Sequence, residues 1–545
     1  MATTKLEKNQ YPAGSSANDF QCFGPVATKD TEFDGFKMAD MGCFQQEEKG
    51  KTKDGDARVI DSNKFYHCCI CQHKKTKEWF LYVEFGRVGK STTFQFTPCS
   101  SESDAMRAFV SQCSEKNTKR GEWATVAGIK MYVPKKDSKG QLKDLYSVQQ
   151  LVSRDFGLPD AKNIAVDGGV PQKVAKTKTA SKKSNRCDPQ TTKLMADLLG
   201  GVVTYARTTI QGGTIPSQAA LDDGRELLQS AKKRLVKIGS DDASEQVKDK
   251  DLKQITYALY SRIPKIKPIG ATEETWILSG NNILGWEQDI DAFESALNAT
   301  DFEDESDGAD PMQGMPVDME WINLKSDVGE YIASWWANAS RNRHHGVGAL
   351  TISNLWKVDR HGDEAKISSS IQRINKEMKS FNNERPLHQD KKRYDLSPED
   401  RRVYWDTNTG LVFHGTRSVN VAGILRENFR LPKELVGVQI NGANFGPGIY
   451  MADDWRKSAG YCSDSRSYWV GDGGVKGRKS FMFACDVVMG NPHVVSSGHA
   501  FTKPPTGHHS VFGKGGAGGY LQNNEWIVYE HGRARIRYLA ELSWK

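Results

Sequence analysis

The spacing of apolar positions changes along the chain, and each change marks a different kind of element. From Lys64 the pattern is strand-like. Lys64–Cys71 and Glu78–Phe85 are rich in aromatic and β-branched residues, and the polar HKKTK between them predicts a hairpin loop. Gly86-Arg-Val-Gly-Lys90 turns the chain, and Ser91–Phe96 predicts a third strand. Over Ser103–Lys116 the spacing becomes helical, with Ala105, Phe109 and Cys113 at i, i+4 and i+8. Residues 1–55 have few apolar runs and are rich in Lys, Gln, Gly and Asp, which predicts a flexible tail.

Beyond Pro189 the spacing is helical again. Leu221, Leu228 and Leu235 recur every seven residues, with Ala231 and Ile238 filling the adjacent stripe. Leu252, Ile255, Leu259 and Ile263 form a second stripe that Pro264 stops, and Ile283 to Leu297 forms a third. Trp321–Asn338 then predicts a strand and a helix, and residues 349–359 a strand. From 410 onward short alternating strands are separated by glycine-rich turns. Ile536, Tyr538, Ala540 and Leu542 alternate as in a half-buried antiparallel strand. The predicted fold class is multidomain α+β. It comprises a flexible tail (1–55), a small β-rich domain (56–160), a basic linker (161–187), an all-α helical bundle (188–300), an acidic linker (301–317) and a mixed α+β domain with mainly antiparallel sheets (318–545).

A length of 545 residues suits three or four domains, and 37% hydrophobic with 26% charged residues suits a soluble globular chain. No stretch approaches the roughly 18 consecutive apolar residues of a membrane span, and the polar N-terminus carries no secretory signal, so an intracellular, non-membrane protein is expected. The ten cysteines lack the spacing of a disulfide scaffold. In His67-Cys-Cys-Ile-Cys-Gln-His73, alternate residues share a strand face on which a metal could sit. No second Cys-x-x-Cys pair completes a site, so a buried strand is the expectation and no metal is assigned. Net charge is +7, but its distribution matters more: residues 173–186 hold six bases and no acid, and 301–310 six acids and no base. The basic run reads as a linker that also serves as a nuclear address or a phosphate contact.

Two nucleotide motifs fail on context. Gly513-Lys-Gly-Gly-Ala-Gly518 matches G-x-G-x-x-G, but no helix follows it; Val88-Gly-Lys-Ser91 would need a glycine where Glu84 stands. Three ordered segments survive: Leu411-Val-Phe-His414-Gly415-Thr416; Phe445-Gly-Pro-Gly-Ile-Tyr450-Met-Ala-Asp453 with Asp454-Trp-Arg-Lys457-Ser458-Ala-Gly-Tyr461; and Asn524-Glu525-Trp-Ile-Val-Tyr529-Glu530. His414, Tyr450 and Glu525 in these settings resemble the His-Tyr-Glu signature of the diphtheria-toxin-like ADP-ribosyltransferases, specifically the poly(ADP-ribose) polymerases. Val488-Met-Gly-Asn491 and Thr506-Gly-His-His-Ser-Val511 fall in that family's order. Upstream, Asn63–Tyr66 and Val83–Lys90 resemble the family's DNA-sensing module, named for a Trp-Gly-Arg triplet, with Phe85 in the tryptophan position. Residues 187–300 resemble its helical regulatory domain, which in the family acts as a lid over the donor site until DNA binds. The family's amino-terminal zinc fingers have no counterpart in the Cys/His spacing.

The chemistry suits these residues. Transfer of ADP-ribose breaks the bond between nicotinamide and ribose in NAD⁺ through an oxocarbenium-like state, which a carboxylate stabilises; Glu525 is the candidate, and it could also polarise the acceptor hydroxyl. Ser458 and Tyr461, at i and i+3, share a helix face, and Asp453 or Asp454 can cap that helix. The resemblance implies that Gly415 and Ser458 bind the nicotinamide amide. It further implies that Tyr450 and Tyr461 sandwich the ring, and that His414 bonds the adenosine-side ribose, with Lys457 and Arg430 as further contacts. NAD⁺ is then a co-substrate, and no bound cofactor is expected. Lys74, Lys75, Lys77, Arg87 and Lys90 suit a phosphate backbone, and Phe85 with Arg87 would supply an aromatic platform and a cation at a break, so Phe85, Arg87 and Lys90 are the DNA-contact candidates. The expected partners are nicked or broken DNA and protein acceptors including the chain itself, with an accessory protein completing the acceptor site as an open alternative. The expected location is the nucleus. The leading expectation is a DNA-activated poly(ADP-ribose) polymerase. The alternatives are transfer of a single ADP-ribose and a catalytically silent DNA-end-binding scaffold.

Overall fold

The computed structural model describes residues 5–51, 57–87, 91–153, 156–164, 188–210, 214–240, 242–267, 272–303, 312, 315–339, 350–378, 396–429, 431, 444–462, 479–499, 501–516 and 519–544. The basic run at 173–186, most of the acidic run at 301–310, and the candidates Lys90 and Arg430 lie outside them. Two compact units emerge, one of residues 1–181 and 206–297, the other of 182–205 and 298–545.

The first unit is built on a sheet of β1 (Phe20–Cys22), β2 (Met38–Lys51), β3 (Ala57–His73), β4 (Trp79–Arg87), β5 (Thr93–Cys99) and the short Ser147–Val148 strand. Its order is β5-β4-β3-β2 and then Ser147–Val148, with β1 also pairing β3. Helix α1 (Glu102–Lys116) starts where the Ser101 side chain accepts the Asp104 N–H, and it lays Ala105, Phe109 and Cys113 on the sheet. Residues 1–55 were expected as a tail. Instead Phe20, Val26, Phe33, Met38 and Met41 are buried in this unit, because β1 and β2 cover flanks of β3 that would otherwise expose apolar surface. Single apolar residues spaced by polar ones gave no run to detect.

The expected helices form as α3 (Gln218–Ile238), α4 (Lys250–Arg262) and α5 (Ile283–Glu303). They do not stand apart as a separate bundle. Phe44 of β2 stacks on Tyr260 of α4 at 4.4 Å, Gln149 donates to the Ser261 carbonyl, and Arg262 pairs with the buried Asp30, and these helices as far as Leu297 belong to the first unit. The preceding helix, α2 (Pro189–Thr209), is divided: its residues to Tyr205 belong to the second unit, where Leu194, Met195 and Leu198 enter the core.

The second unit contains two sheets. One runs, by residue range, Val317–Trp321, Leu350–Arg360, Ala534–Trp544, Lys479–Val488, Thr409–Gly415, and every pair in it is antiparallel. The other runs Ile449–Met451, Glu525–Val528, Ser510–Gly513, Pro492–Val495, and only its last pair is parallel. Phe413 and Ala452 exchange backbone hydrogen bonds of 2.8 and 3.0 Å, which joins the two sheets at one point. This is mixed α+β architecture with mainly antiparallel sheets. Among the described residues, no helix is long and apolar enough to cross a membrane.

Candidate active site

The site lies where the two sheets of the second unit join. His414 and Gly415 end the strand Thr409–Gly415, and Gly415 is there because nothing larger fits: a Cβ would meet the Ser458 carbonyl oxygen at 1.7 Å. The same approach lets the Ser458 hydroxyl donate to the Phe413 carbonyl at 3.1 Å. Ser458 sits on a five-residue helix, Trp455–Ala459, whose first turn is capped by Asp454 accepting the Arg456 N–H at 2.9 Å. Of the two candidate caps, Asp454 does the capping. Asp453 instead accepts from the Asn524 amide at 2.8 Å, which ties this segment to the residue before Glu525.

His414 donates from Nδ1 to the Tyr450 carbonyl at 2.9 Å, leaving Nε2 as an acceptor in the neutral ring. Burial pulls its pKa below the ordinary value, against a smaller opposing effect of that hydrogen bond. The Tyr450 hydroxyl accepts the Phe445 N–H at 2.9 Å and donates to the Gly446 carbonyl at 2.8 Å. Burial and then the nearby Tyr529 hold its pKa well above the usual range, against the smaller opposing effect of the Phe445 N–H, so the phenol stays protonated, while the two hydrogen bonds fix its ring in place.

Glu525 opens the strand Glu525–Val528, which pairs Tyr450 with Ile527 on one side and Gly513 with Glu525 on the other. Its carboxylate is almost fully buried and meets Lys457 Nζ at 2.8 Å. Burial alone would lower the pKa of Lys457, but Tyr461 and Glu525 outweigh it and hold the ammonium above its ordinary value. Lys457 Nζ also lies 5.5 Å from the Tyr461 ring centroid. The structure thus brings together His414, Gly415, Tyr450, Lys457, Ser458, Tyr461 and Glu525. Sequence reasoning missed the Asp453–Asn524 tie and the 2.6 Å bond from the Tyr529 hydroxyl to the Phe445 carbonyl, although both Asn524 and Tyr529 stand inside the third motif.

In the first unit, Arg87 is exposed at the end of β4. Phe85, two residues earlier on the same face, is half-buried: it stacks on Tyr66 at 5.9 Å and packs against the core under α1. The His67–His73 stretch is a buried strand, with His67 bonded to Asp40 at 2.8 Å and Cys22 and Cys69 in van der Waals contact.

Residues 335–519 match the model of the poly(ADP-ribose) polymerase catalytic domain, and residues 52–126 that of the WGR domain. The chain carries a poly(ADP-ribose) polymerase catalytic domain and a WGR domain. The catalytic-domain match includes His414, Tyr450 and the Lys457–Tyr461 segment, and it ends before Glu525; the WGR match includes Phe85 and Arg87. The chain is similar to poly [ADP-ribose] polymerase 1 of Xenopus laevis, 22% identical over 92% of this chain and 46% of that protein. It is 32% identical to poly [ADP-ribose] polymerase 1 of Gallus gallus over 25% of this chain and 15% of that one. With poly [ADP-ribose] polymerase 2 of Zea mays it shares 24% over 44% of this chain and 35% of that one. The chain thus spans less than half the length of these curated relatives.

Proposed function

We propose that this chain is an NAD⁺-dependent ADP-ribosyltransferase that modifies proteins, itself included, extends the product into poly(ADP-ribose), and is activated in the nucleus by nicked or broken DNA. The observation that carries the reading is a buried Glu525 carboxylate held by Lys457, which with Tyr450 and Tyr461 lies in the span that matches a poly(ADP-ribose) polymerase catalytic domain. In this reading NAD⁺ is the co-substrate. The C–N bond to nicotinamide breaks, the leaving group departs neutral with the bonding electrons, and Glu525 stabilises the positive ribose. An acceptor hydroxyl then bonds to that carbon, and its proton passes to Glu525. The Gly415 backbone and Ser458 hold the nicotinamide amide, and the rings of Tyr450 and Tyr461 flank it. The neutral Nε2 of His414 accepts from a ribose hydroxyl. Arg430 is a further candidate contact.

The WGR match and the exposed Arg87 support binding to DNA phosphates, with Lys90 and Phe85 as further candidates. Incubating the purified chain with labelled NAD⁺, with and without a nicked duplex, tests the proposal. A polymer ladder that appears only with DNA supports it. A single-unit shift would favour mono-ADP-ribosylation, and no transfer at all would favour a DNA-end-binding scaffold.

A further inference from the structure

The second unit holds a group of histidines that the transfer chemistry leaves unused. His493 lies on the strand Pro492–Val495, paired with Val511 of Ser510–Gly513, and His508 lies in the turn that leads into the latter strand. Their ring centroids are 4.9 Å apart at an interplanar angle of 73°. Phe501 walls the group, with its ring 5.6 Å from His493 and 4.6 Å from His499.

Several other histidines of the chain spend at least one ring nitrogen on a hydrogen bond. His67 bonds Asp40, His73 accepts from the Lys75 and Thr76 N–H groups, and His414 bonds the Tyr450 carbonyl. His509, next to His508, accepts from the Asn491 N–H and meets Glu377 at 2.7 Å. In this group His508 Nδ1 is buried with no hydrogen-bond partner among the described residues, as His67 Nε2 is in the first unit. A buried nitrogen with a free lone pair is costly unless a donor or a metal ion takes it.

We propose that His493 and His508 form a binding site for a divalent transition-metal ion of the zinc class, with the exposed His499 swinging in as a third ligand. Two imidazoles on a tetrahedral zinc, with Zn–N of about 2.0–2.1 Å, bring their ring centroids to roughly 5 Å, which is the separation already present. Imidazole donors without a carboxylate suit zinc, copper or nickel over magnesium or calcium. Among the described residues no three His, Cys, Asp or Glu side chains already converge on one point, so the pair is a two-nitrogen platform that the third ring completes. A bound ion would clip the turn carrying His508 onto the Pro492–Val495 strand, in the sheet that also carries Glu525.

The test is titration of the full chain with zinc chloride in a non-chelating buffer, by calorimetry and by thermal melting. The expected result is one saturable site and a zinc-dependent rise in melting temperature. His493→Ala and His508→Ala should each weaken binding by about tenfold or more, since changes even outside the ligand shell commonly cost 10–100-fold. His499→Ala should weaken it less. His531→Ala, an exposed histidine elsewhere, should match the parent. Melts without zinc identify any variant whose fold is damaged, and His493→Gln then replaces it. No saturable zinc binding by the parent, or equal binding by the His493 and His508 variants, would overturn the site; equal binding by His499→Ala would overturn the third ligand.

Discussion

Lys457 Nζ lies 2.8 Å from Glu525 Oε1, so the carboxylate that opens one strand is neutralised by an ammonium on a helix far away in sequence. Glu525 has little access to water, and removing one member of a buried ion pair leaves the other uncompensated, at about 3–5 kcal/mol. Lys457→Met should therefore lower both thermal stability and NAD⁺ turnover. Lys457→Arg should recover more stability than turnover, because a planar guanidinium cannot reproduce the ammonium's place beside Tyr461. Calorimetric melts and initial rates on the same preparations check both halves.

Gly415 predicts a sharper effect. Gly415→Ala puts a methyl group 1.7 Å from the Ser458 carbonyl oxygen; a Cβ has no rotamer that relieves the clash, and the oxygen belongs to backbone that cannot swing aside. Overpacking of this kind costs about 1–3 kcal/mol or more. The expected outcome is a lower melting temperature together with weaker binding of a nicotinamide analogue. Unchanged values for both would mean that the strand and the Trp455–Ala459 helix are not held together at this point.

The pH dependence follows from two histidines. Burial is the leading cause that lowers the pKa of both His414 and His509 from 6.5. The unfolded chain takes up these protons near pH 6.5, while the folded chain takes them up only at lower pH. Their contribution to stability is thus complete above about pH 6.5 and is lost as pH falls through the folded values. Melting temperature should drop between pH 7.5 and 5.5, and His414→Gln should flatten that drop.

Much of the arrangement of the site was legible in sequence because its residues stand inside short ordered motifs, in which His414, Tyr450 and Glu525 sit on strands or strand ends. What was not legible depends on contacts between distant segments. Nothing local to Asp453 or Asn524 announces their 2.8 Å bond, and Lys457 gave no sign that its partner would be Glu525. The helices at 218–303 were legible from their stripes, but a stripe does not say what it packs on. Phe44 lies in a stretch read as a tail, and it is the residue that stacks on Tyr260. Phe85 is the converse. Its motif position suggested an exposed platform, but its ring is half-buried on Tyr66.

Phe85→Ala should accordingly lower the melting temperature of the first unit as well as any DNA affinity. Arg87→Ala should weaken DNA binding and reduce its salt slope by about one, without a change in melting. Fluorescence anisotropy with a nicked duplex at two salt concentrations, beside a melt of each variant, separates packing from contact. An unchanged salt slope for Arg87→Ala would remove it from the phosphate contacts.

If the helices restrain the donor site, as the family resemblance implies, removing them should release activity from DNA, and the boundary of the cut matters. Deleting 190–300 also removes Leu194, Met195 and Leu198 from the core of the catalytic unit, so that truncation should melt early and lose activity. Deleting 206–297 spares those side chains and should give turnover of NAD⁺ without DNA. A folded 206–297 deletion that still needs DNA would contradict the restraint.

The most direct test of the central claim compares the parent and Glu525→Gln side by side with labelled NAD⁺ and nicked DNA, with NAD⁺ binding measured separately by calorimetry. The substitution keeps the shape of the side chain and removes the charge that would stabilise the ribose and accept the proton. The account predicts that Glu525→Gln still binds NAD⁺ but makes no polymer, whereas the parent makes a ladder. Parent-length polymer from Glu525→Gln would contradict it.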